Sequence, residues 1–423
     1  MFETLFYGLS FIGTCYYIFT KPLFDFLSLS FFSSLVYFIP GFSGLIINPY
    51  DTDETTSIYP PCYWVYDLVL GINLFTVLIN DSFLQDKSII LKGDFKPSLA
   101  LGALMMGVLG LAGSLIQFPD LYLNRAEVSK GELQEILSHQ ADRWSVLWAM
   151  GASLLAMIAF KAGYRFYQIL AVVLLGLDLF WGGNRSSSAF VVLALLVLST
   201  QHEPKRLVSY ISHWRYLGKT LLLISLGAIF FISKLILPLL QANRMDLFEE
   251  IYPSWQDVLF HAFVVSEPAA IQANLSETLR KGIEVDWYHP VDIVGQLIIG
   301  GDWLGMQSNS HYLSQKDLFP QLEYGLAYNI WGDIWASGGW ITLIVFVFFY
   351  HIVLVLGNLL IKRSTGYSLV IIALFFSIWA FYIHRNNLLF QLYLQKRVLI
   401  FAVVPWLFSL IKIRWNSSHP KSN

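Results

Sequence analysis

The sequence predicts an all-α, polytopic integral membrane protein with about eleven transmembrane helices and one large extracytoplasmic loop. Three observations lead there. Apolar residues make up 56% of the 423-residue chain and charged residues only 13%, at a mean hydropathy of +0.57, which is too hydrophobic for a soluble domain of this length. The apolar residues fall into separate stretches, most of them long enough to cross roughly 30 Å of hydrocarbon at about 1.5 Å per residue. Lysine and arginine are concentrated in every second link between those stretches, the pattern left by alternating passage through a bilayer.

The stretches run over 4–20, 22–48, 61–83, 97–118, 143–160, 165–181, 186–201, 219–240, 326–361, 366–383 and 387–411. The first has no basic segment before it and no small-residue cleavage site, so it is expected to be a retained helix, not a signal peptide. Gly182, Gly183, Asn184 and Arg185 separate 165–181 from 186–201, which predicts a tight turn between two helices and not one long helix. The chain therefore divides into helices one to eight over 1–240, the large loop over 241–325, helices nine to eleven over 326–411 and a basic tail over 412–423.

Cytoplasmic links retain an excess of Lys and Arg. An outer N-terminus puts Lys21, Lys87, Lys92, Lys96, Lys161, Arg165, Lys205, Arg206, Arg215, Lys219, Lys362 and Arg363 inside, together with the tail residues Lys412, Arg414 and Lys421. Arg125, Lys130 and Arg143 are the outer exceptions. The C-terminus is then expected on the cytoplasmic side.

A formal charge of −2 offers no global field for nucleic acid, so no nucleic-acid partner is expected. Two cysteines, Cys15 and Cys62, lie in or beside apolar segments, which argues against a disulfide framework or a four-ligand zinc site. The loop 241–325 is acidic and too long to be a mere connector, and Trp255, Phe260, Phe263, Trp287 and Trp303 supply apolar anchors. Short helices over 254–265, 267–281 and 290–300, lying on the outer membrane face, are expected in it. Asp286, His289 and Asp292 in "DWYHPVD" lack a ligand spacing and read as a turn, so no metal site is expected.

The topology leaves a few cations at the outer ends of helices: Arg185, Arg244, Arg385 and, further into the last helix, Lys396 and Arg397. Guanidinium groups suit bidentate binding of a diphosphate and stay charged in a low dielectric. Gly182 and Gly183 leave the backbone before Arg185 flexible, and a helix opening at Ser186 adds amide donors. Boundary arginines also snorkel to lipid headgroups, which is the plain alternative for Arg185 and Arg385.

Several segments resemble the Wzy-type oligosaccharide repeat-unit polymerases, which include the O-antigen polymerases. They are "FFSSLVYFIPGF", "WGGNRSSSAF", "SNSHYLSQ" in the large loop, "GDIWASGGW" after it, and "YIHRNN" followed by "QKRVLIF". The resemblance implies a GT-C-like membrane fold and makes Arg185, Arg385 and Arg397 the arginines facing a lipid diphosphate. It makes His311 similar to a loop histidine of that family, though Tyr312 stands where asparagine often follows, and it gives Asp333 the place of an acidic residue before the small-residue stretch.

What the family implies is a metal-independent glycosyltransferase without a cofactor, acting on undecaprenyl-diphosphate-linked oligosaccharide at the outer membrane face. Membrane lipid, a chain-length regulator and a flippase are the implied partners. The reaction needs charge stabilisation at the departing diphosphate and alignment of two bulky substrates, and a base for the incoming hydroxyl. His311, Glu323, Asp333 and His289 are the candidates for that base, each with the alternative of an ordinary loop or interface residue. An O-antigen ligase shares the multi-helix plan and the large loop. A polysaccharide or lipid-linked oligosaccharide transporter is the other alternative, although Asp67, Asp178 and Lys234 fall nearer the outer end than the midplane and no half-to-half repeat is evident.

Overall fold

The structure is a computed structural model that describes residues 2–21, 25–48, 51–83, 95–119, 143–181, 185–202, 235–236, 239, 245–263, 267–297, 318–319 and 328–410. It begins with α1 (Phe2–Phe19) and α2 (Phe26–Tyr37). Asp25 caps α2: its carboxylate accepts from the Ser28 amide at 2.9 Å while the Ser28 hydroxyl accepts from the Asp25 amide at 2.8 Å.

A single apolar helix over 22–48 does not form. Pro40 opens the short α3 (Ile39–Ser43), and Gly44 ends it at φ +69°, a conformation that glycine adopts without strain. The chain then folds into an antiparallel hairpin, β1 (Leu45–Asn48) against β2 (Asp51–Ser57), with Leu45 opposite Ser57 and Ile46 opposite Thr56. The run "DTDETTS" is too polar for a hydrocarbon-spanning helix, and pairing with β1 satisfies its backbone instead.

Five helices follow: α4 (Cys62–Phe83), α5 (Pro97–Gln117), α6 (Arg143–Ala162), α7 (Arg165–Phe180) and α8 (Arg185–His202). The break between α7 and α8 falls where Gly182 to Arg185 predicts it. α5 and α6 pack backbone to backbone through small residues on one face of α5. A Cβ on Gly110 would lie 2.2 Å from the Trp148 amide, and one on Gly151 would lie 2.3 Å from the Gly107 amide.

The region between 241 and 325 contains α9 (Phe248–Ile251), α10 (Trp255–Phe263), α11 (Glu267–Lys281) and α12 (His289–Leu297). Three of these fall close to the expected short helices, but α11 does not lie on a membrane face. All of Pro268 to Leu279 is buried. Its polar residues explain how: Tyr66 donates to Gln272 Oε1 at 2.9 Å, Gln272 donates to the Tyr37 carbonyl at 3.1 Å, and the Tyr59 amide donates to Ser276 Oγ at 3.1 Å. A polar helix thus enters the bundle on satisfied hydrogen bonds.

The expected stretch 326–361 is also divided, into α13 (Ile330–Ala336) and α14 (Gly339–Arg363). Asn329 starts α13 by accepting from the Trp331 and Gly332 amides, and Gly339 at φ +66° turns the chain into α14. α15 (Gly366–Tyr382), a one-turn 3-10 helix (Ile383–Arg385) and α16 (Leu388–Leu410) complete the bundle. Among the described residues, six helices are long and apolar enough to cross a membrane: those at Cys62–Asp81, Pro97–Gln117, Arg143–Ala162, Gly339–Arg363, Gly366–Arg385 and Leu388–Leu410. Of the stretch 219–240, only 235–236 and 239 are among the described residues.

Hydrogen bonds show that the helices alternate between two ends of the bundle. At one end Lys21 pairs with Asp81 at 2.5 Å, Asn358 donates to Asp25 and Lys96 donates to the Ser409 carbonyl. At the other end lie Tyr37, the start of α8, the start of α11, α13 and the turn between α15 and α16. That second end carries the candidate site.

Candidate functional site

The turn after α15 forms because "IHRNN" interrupts an apolar helix with five residues of which four are polar, and the helix resumes only at Leu388. Arg385 sits in the middle of this turn. Its Nε pairs with the carboxylate of Glu267, the first residue of α11. Its Nη1 donates to the Tyr382 hydroxyl at 2.5 Å, and its guanidinium lies 5.0 Å from the centre of the Tyr382 ring. An arginine has five N–H donors, so this arrangement holds the head with two and leaves a fork for a further acceptor. The side chain is one third exposed, 33% against 28% for Glu267, which places the pair at a boundary and not deep in the core.

The Tyr382 hydroxyl also meets Ser186 Oγ at 2.8 Å. Ser186 is the second residue of α8, so this contact brings the amino end of α8, whose first-turn amides point toward that end, beside Arg385. Behind it, Asp178 near the end of α7 is 1% exposed and hydrogen-bonded to Ser187. Arg185 opens α8, and its side chain lies outside the described residues. Arg244, His311 and Glu323 also lie outside them.

Two of the four residues considered as bases come together. His289 Nε2 is 3.4 Å from Asp333 Oδ1, and both side chains are buried, at 3% and 5% exposure. The other carboxylate oxygen, Oδ2, accepts from the Leu388 amide at 3.2 Å. Asp333 therefore joins the amino end of α12 to the amino end of α16 at Leu388, three residues past Arg385 in the chain. The preceding residues form a turn: the His289 amide donates to the Asp286 carbonyl at 2.9 Å. Tyr288 donates to Asp286 Oδ2 at 2.9 Å, and that bond to a carboxylate holds the phenol above its ordinary value.

Arg397 does not join this group. It is half-buried on α16, nine residues past Leu388, which is about 13 Å along the helix axis. Lys396 beside it is half-buried too. A polar seam runs from Asn386, just before that helix, to Gln391 and Gln395 on it: Asn386 donates to Gln391 at 2.8 Å and Gln391 donates to the Ile378 carbonyl at 3.3 Å.

Sequence reasoning finds Arg385, Asp333 and His289 and misses Glu267, Tyr382, Tyr37 and His384 as their neighbours. A Glu-Pro step marks the start of α11, yet nothing in a linear pattern says that this carboxylate meets an arginine after α15.

Six bilayer-length apolar helices among the described residues make the chain a polytopic helical membrane protein, with a cation-centred polar cluster where several helices end on one side of the bundle. Comparisons with protein-family models, with curated proteins and with solved structures gave no match.

Proposed function

We propose that this protein joins polyprenyl-diphosphate-linked oligosaccharide repeat units into a surface polysaccharide, by glycosyl transfer on the outer face of a bacterial cytoplasmic membrane. In this reading the chain crosses the membrane about eleven times, with its N-terminus outside and its C-terminus in the cytoplasm. The end that carries Arg385 and the helices between 241 and 325 then faces outward.

The observation that carries the reading is the Arg385 assembly. A guanidinium is oriented by Glu267 and Tyr382 beside the amino end of α8, with donors remaining for the oxygens of a diphosphate. Arg185, at the start of the same helix, is the second proposed contact, with Arg397 as the further arginine of the resemblance and Arg244 as the one the topology adds. In the reaction, an acceptor hydroxyl oxygen bonds to the anomeric carbon of the growing glycan. The bond from that carbon to the diphosphate oxygen breaks, and the diphosphate leaves with the electron pair. Cations at the diphosphate stabilise the charge that develops there.

The hydroxyl proton goes to a base. The His289–Asp333 pair has the imidazole–carboxylate arrangement that such a step uses, and His311 and Glu323 remain the other proposed acceptors. Undecaprenyl-diphosphate-linked oligosaccharide is the proposed substrate, and no metal takes part in the proposed step.

Deletion of the gene in its own host, followed by gel analysis of the surface glycan, tests the proposal. Collapse of the ladder to a single repeat unit on its acceptor is the expected result. Loss of glycan from the acceptor with accumulation of full-length lipid-linked polymer identifies a ligase instead, and an unchanged glycan favours a transporter.

A further inference from the structure

We infer that His384 is a positioning residue: held neutral, with its proton on Nε2, between Trp331 and Ser34, it sets the turn that aims Arg385. The inference rests on the diphosphate reading of Arg385 given above.

The hydrogen bonds decide the state of the ring. The Trp331 indole nitrogen can only donate, and it lies 3.1 Å from His384 Nδ1, so Nδ1 must present a lone pair. An imidazole with a lone pair on Nδ1 and a proton on Nε2 is neutral. Nε2 lies 3.2 Å from Ser34 Oγ, and the Ser34 hydroxyl spends its own proton on the Ser30 carbonyl at 2.8 Å. Ser34 Oγ is therefore the acceptor, which agrees with a proton on Nε2. Ser30 in turn accepts from Tyr350 at 2.8 Å, so the chain of bonds runs from α14 through α2 to α13.

Packing holds the ring in that plane. His384 is 0% exposed, stacked on Tyr37 with centroids 5.5 Å apart at 24° and meeting Phe38 edge-on at 5.4 Å. Both nitrogens are used and no face of the ring reaches solvent, so the residue acts through its neighbour and not on a substrate. That neighbour is Arg385.

The helix Ile383–Arg385 is a single three-residue turn, closed where the Asn386 amide reaches the Ile383 carbonyl at 3.4 Å. Its conformation is therefore set by what its side chains grip. His384 grips α2 and α13 on the buried side, which turns Arg385 toward α11, where Glu267 receives it. An apolar ring in place of His384 would fill the space but leave the buried Trp331 N–H and Ser34 hydroxyl without this partner.

The test uses full-length protein in lipid nanodiscs, with undecaprenyl diphosphate as the probe and ¹⁵N-labelled histidine for NMR. The parent is expected to bind the probe and to show a buried ring carrying its proton on Nε2. His384→Phe is expected to weaken binding at least about tenfold, the effect of losing roughly 1.4 kcal/mol of orientation. His384→Asn, whose Oδ1 takes the place of Nδ1 opposite Trp331, is expected to recover part of that loss. If His384→Phe does not fold, Trp331→Phe removes the single donor while keeping an aromatic ring, and the same weakening is expected. Parent-like binding in His384→Phe or Trp331→Phe, or a ring protonated on Nδ1, overturns the inference. A parent that does not bind the probe overturns the diphosphate reading, and with it the aim ascribed to His384.

Discussion

Arg385, in the turn after α15, and Glu267, the first residue of α11, form an ion pair, although α12, α13, α14 and α15 lie between them in the chain. Each partner is matched to its place. A carboxylate at the start of α11 complements the positive end of that helix, and a guanidinium at a membrane boundary needs a counter-charge to offset its desolvation.

Arg385→Ala is expected to abolish polymerisation in the host while the variant inserts at parent levels, and Arg385→Lys is expected to keep the charge but not the fork. Ladder analysis beside an immunoblot of membranes checks both. Glu267→Gln is expected to cost about 1 kcal/mol of stability, because the pair is about one third exposed and screened. Parent-like polymerisation by Arg385→Ala would sink the assignment.

The close approach of α5 and α6 predicts a sharp contrast among glycines. Gly110→Ala would push a methyl to 2.2 Å from the Trp148 backbone, where nothing flexible can yield, and about 1–3 kcal/mol of destabilisation is expected. Gly176 on α7 has nothing within 4 Å of an added Cβ, and Gly176→Ala is expected to be neutral or stabilising by about 0.5 kcal/mol. Thermal unfolding followed by size-exclusion chromatography in detergent separates the two.

Lys21 at the opposite end is 7% exposed in side chain and pairs with Asp81 at 2.5 Å and Asp25 at 3.6 Å. Lys21→Met leaves two carboxylates together without their cation, and a loss of about 3 kcal/mol is expected. Asp81→Asn keeps the Lys21–Asp25 contact and is expected to cost less. The same unfolding assay reads both variants.

Glu277 predicts a pH dependence. Burial pushes its carboxyl up, but hydrogen bonds and charge from Arg280 and Lys281 outweigh burial and hold it below the ordinary value of 4.5. A carboxyl depressed in the folded state stabilises above its unfolded value, and that contribution disappears as pH falls from about 4.5 through the folded value. Glu277→Gln is expected to lower stability at neutral pH and to flatten this acid limb. A parent-like acid limb in the variant would remove Glu277 as its source.

Orientation is testable with single cysteines in a chain lacking Cys15 and Cys62. Trp255 and Trp287 are 72% and 76% exposed, and Trp287 stands two residues before His289, which meets Asp333 at the end that carries Arg385. Trp255→Cys and Trp287→Cys are expected to react with an impermeant maleimide in intact spheroplasts, and Arg363→Cys only after permeabilisation. The reverse pattern would invert the proposed topology.

The sequence by itself determined that the chain is a bundle of apolar helices, because burial in hydrocarbon demands long uncharged runs that are visible one residue after another. Boundaries such as 62–83, 97–117 and 388–410 follow from that demand. It also exposed Arg385, since a cation beside an apolar run is conspicuous. Tertiary structure alone decided that 22–48 turns into a hairpin at Pro40 and Gly44, and that polar α11 is buried inside the bundle. It alone decided that Glu267, Tyr382 and Ser186 gather on Arg385, that His289 meets Asp333, and that Trp331 and Ser34 hold His384. The physical reason is the same throughout: hydropathy is a sum over neighbours in sequence, whereas a hydrogen bond or an ion pair depends on which groups packing brings within about 3 Å of one another.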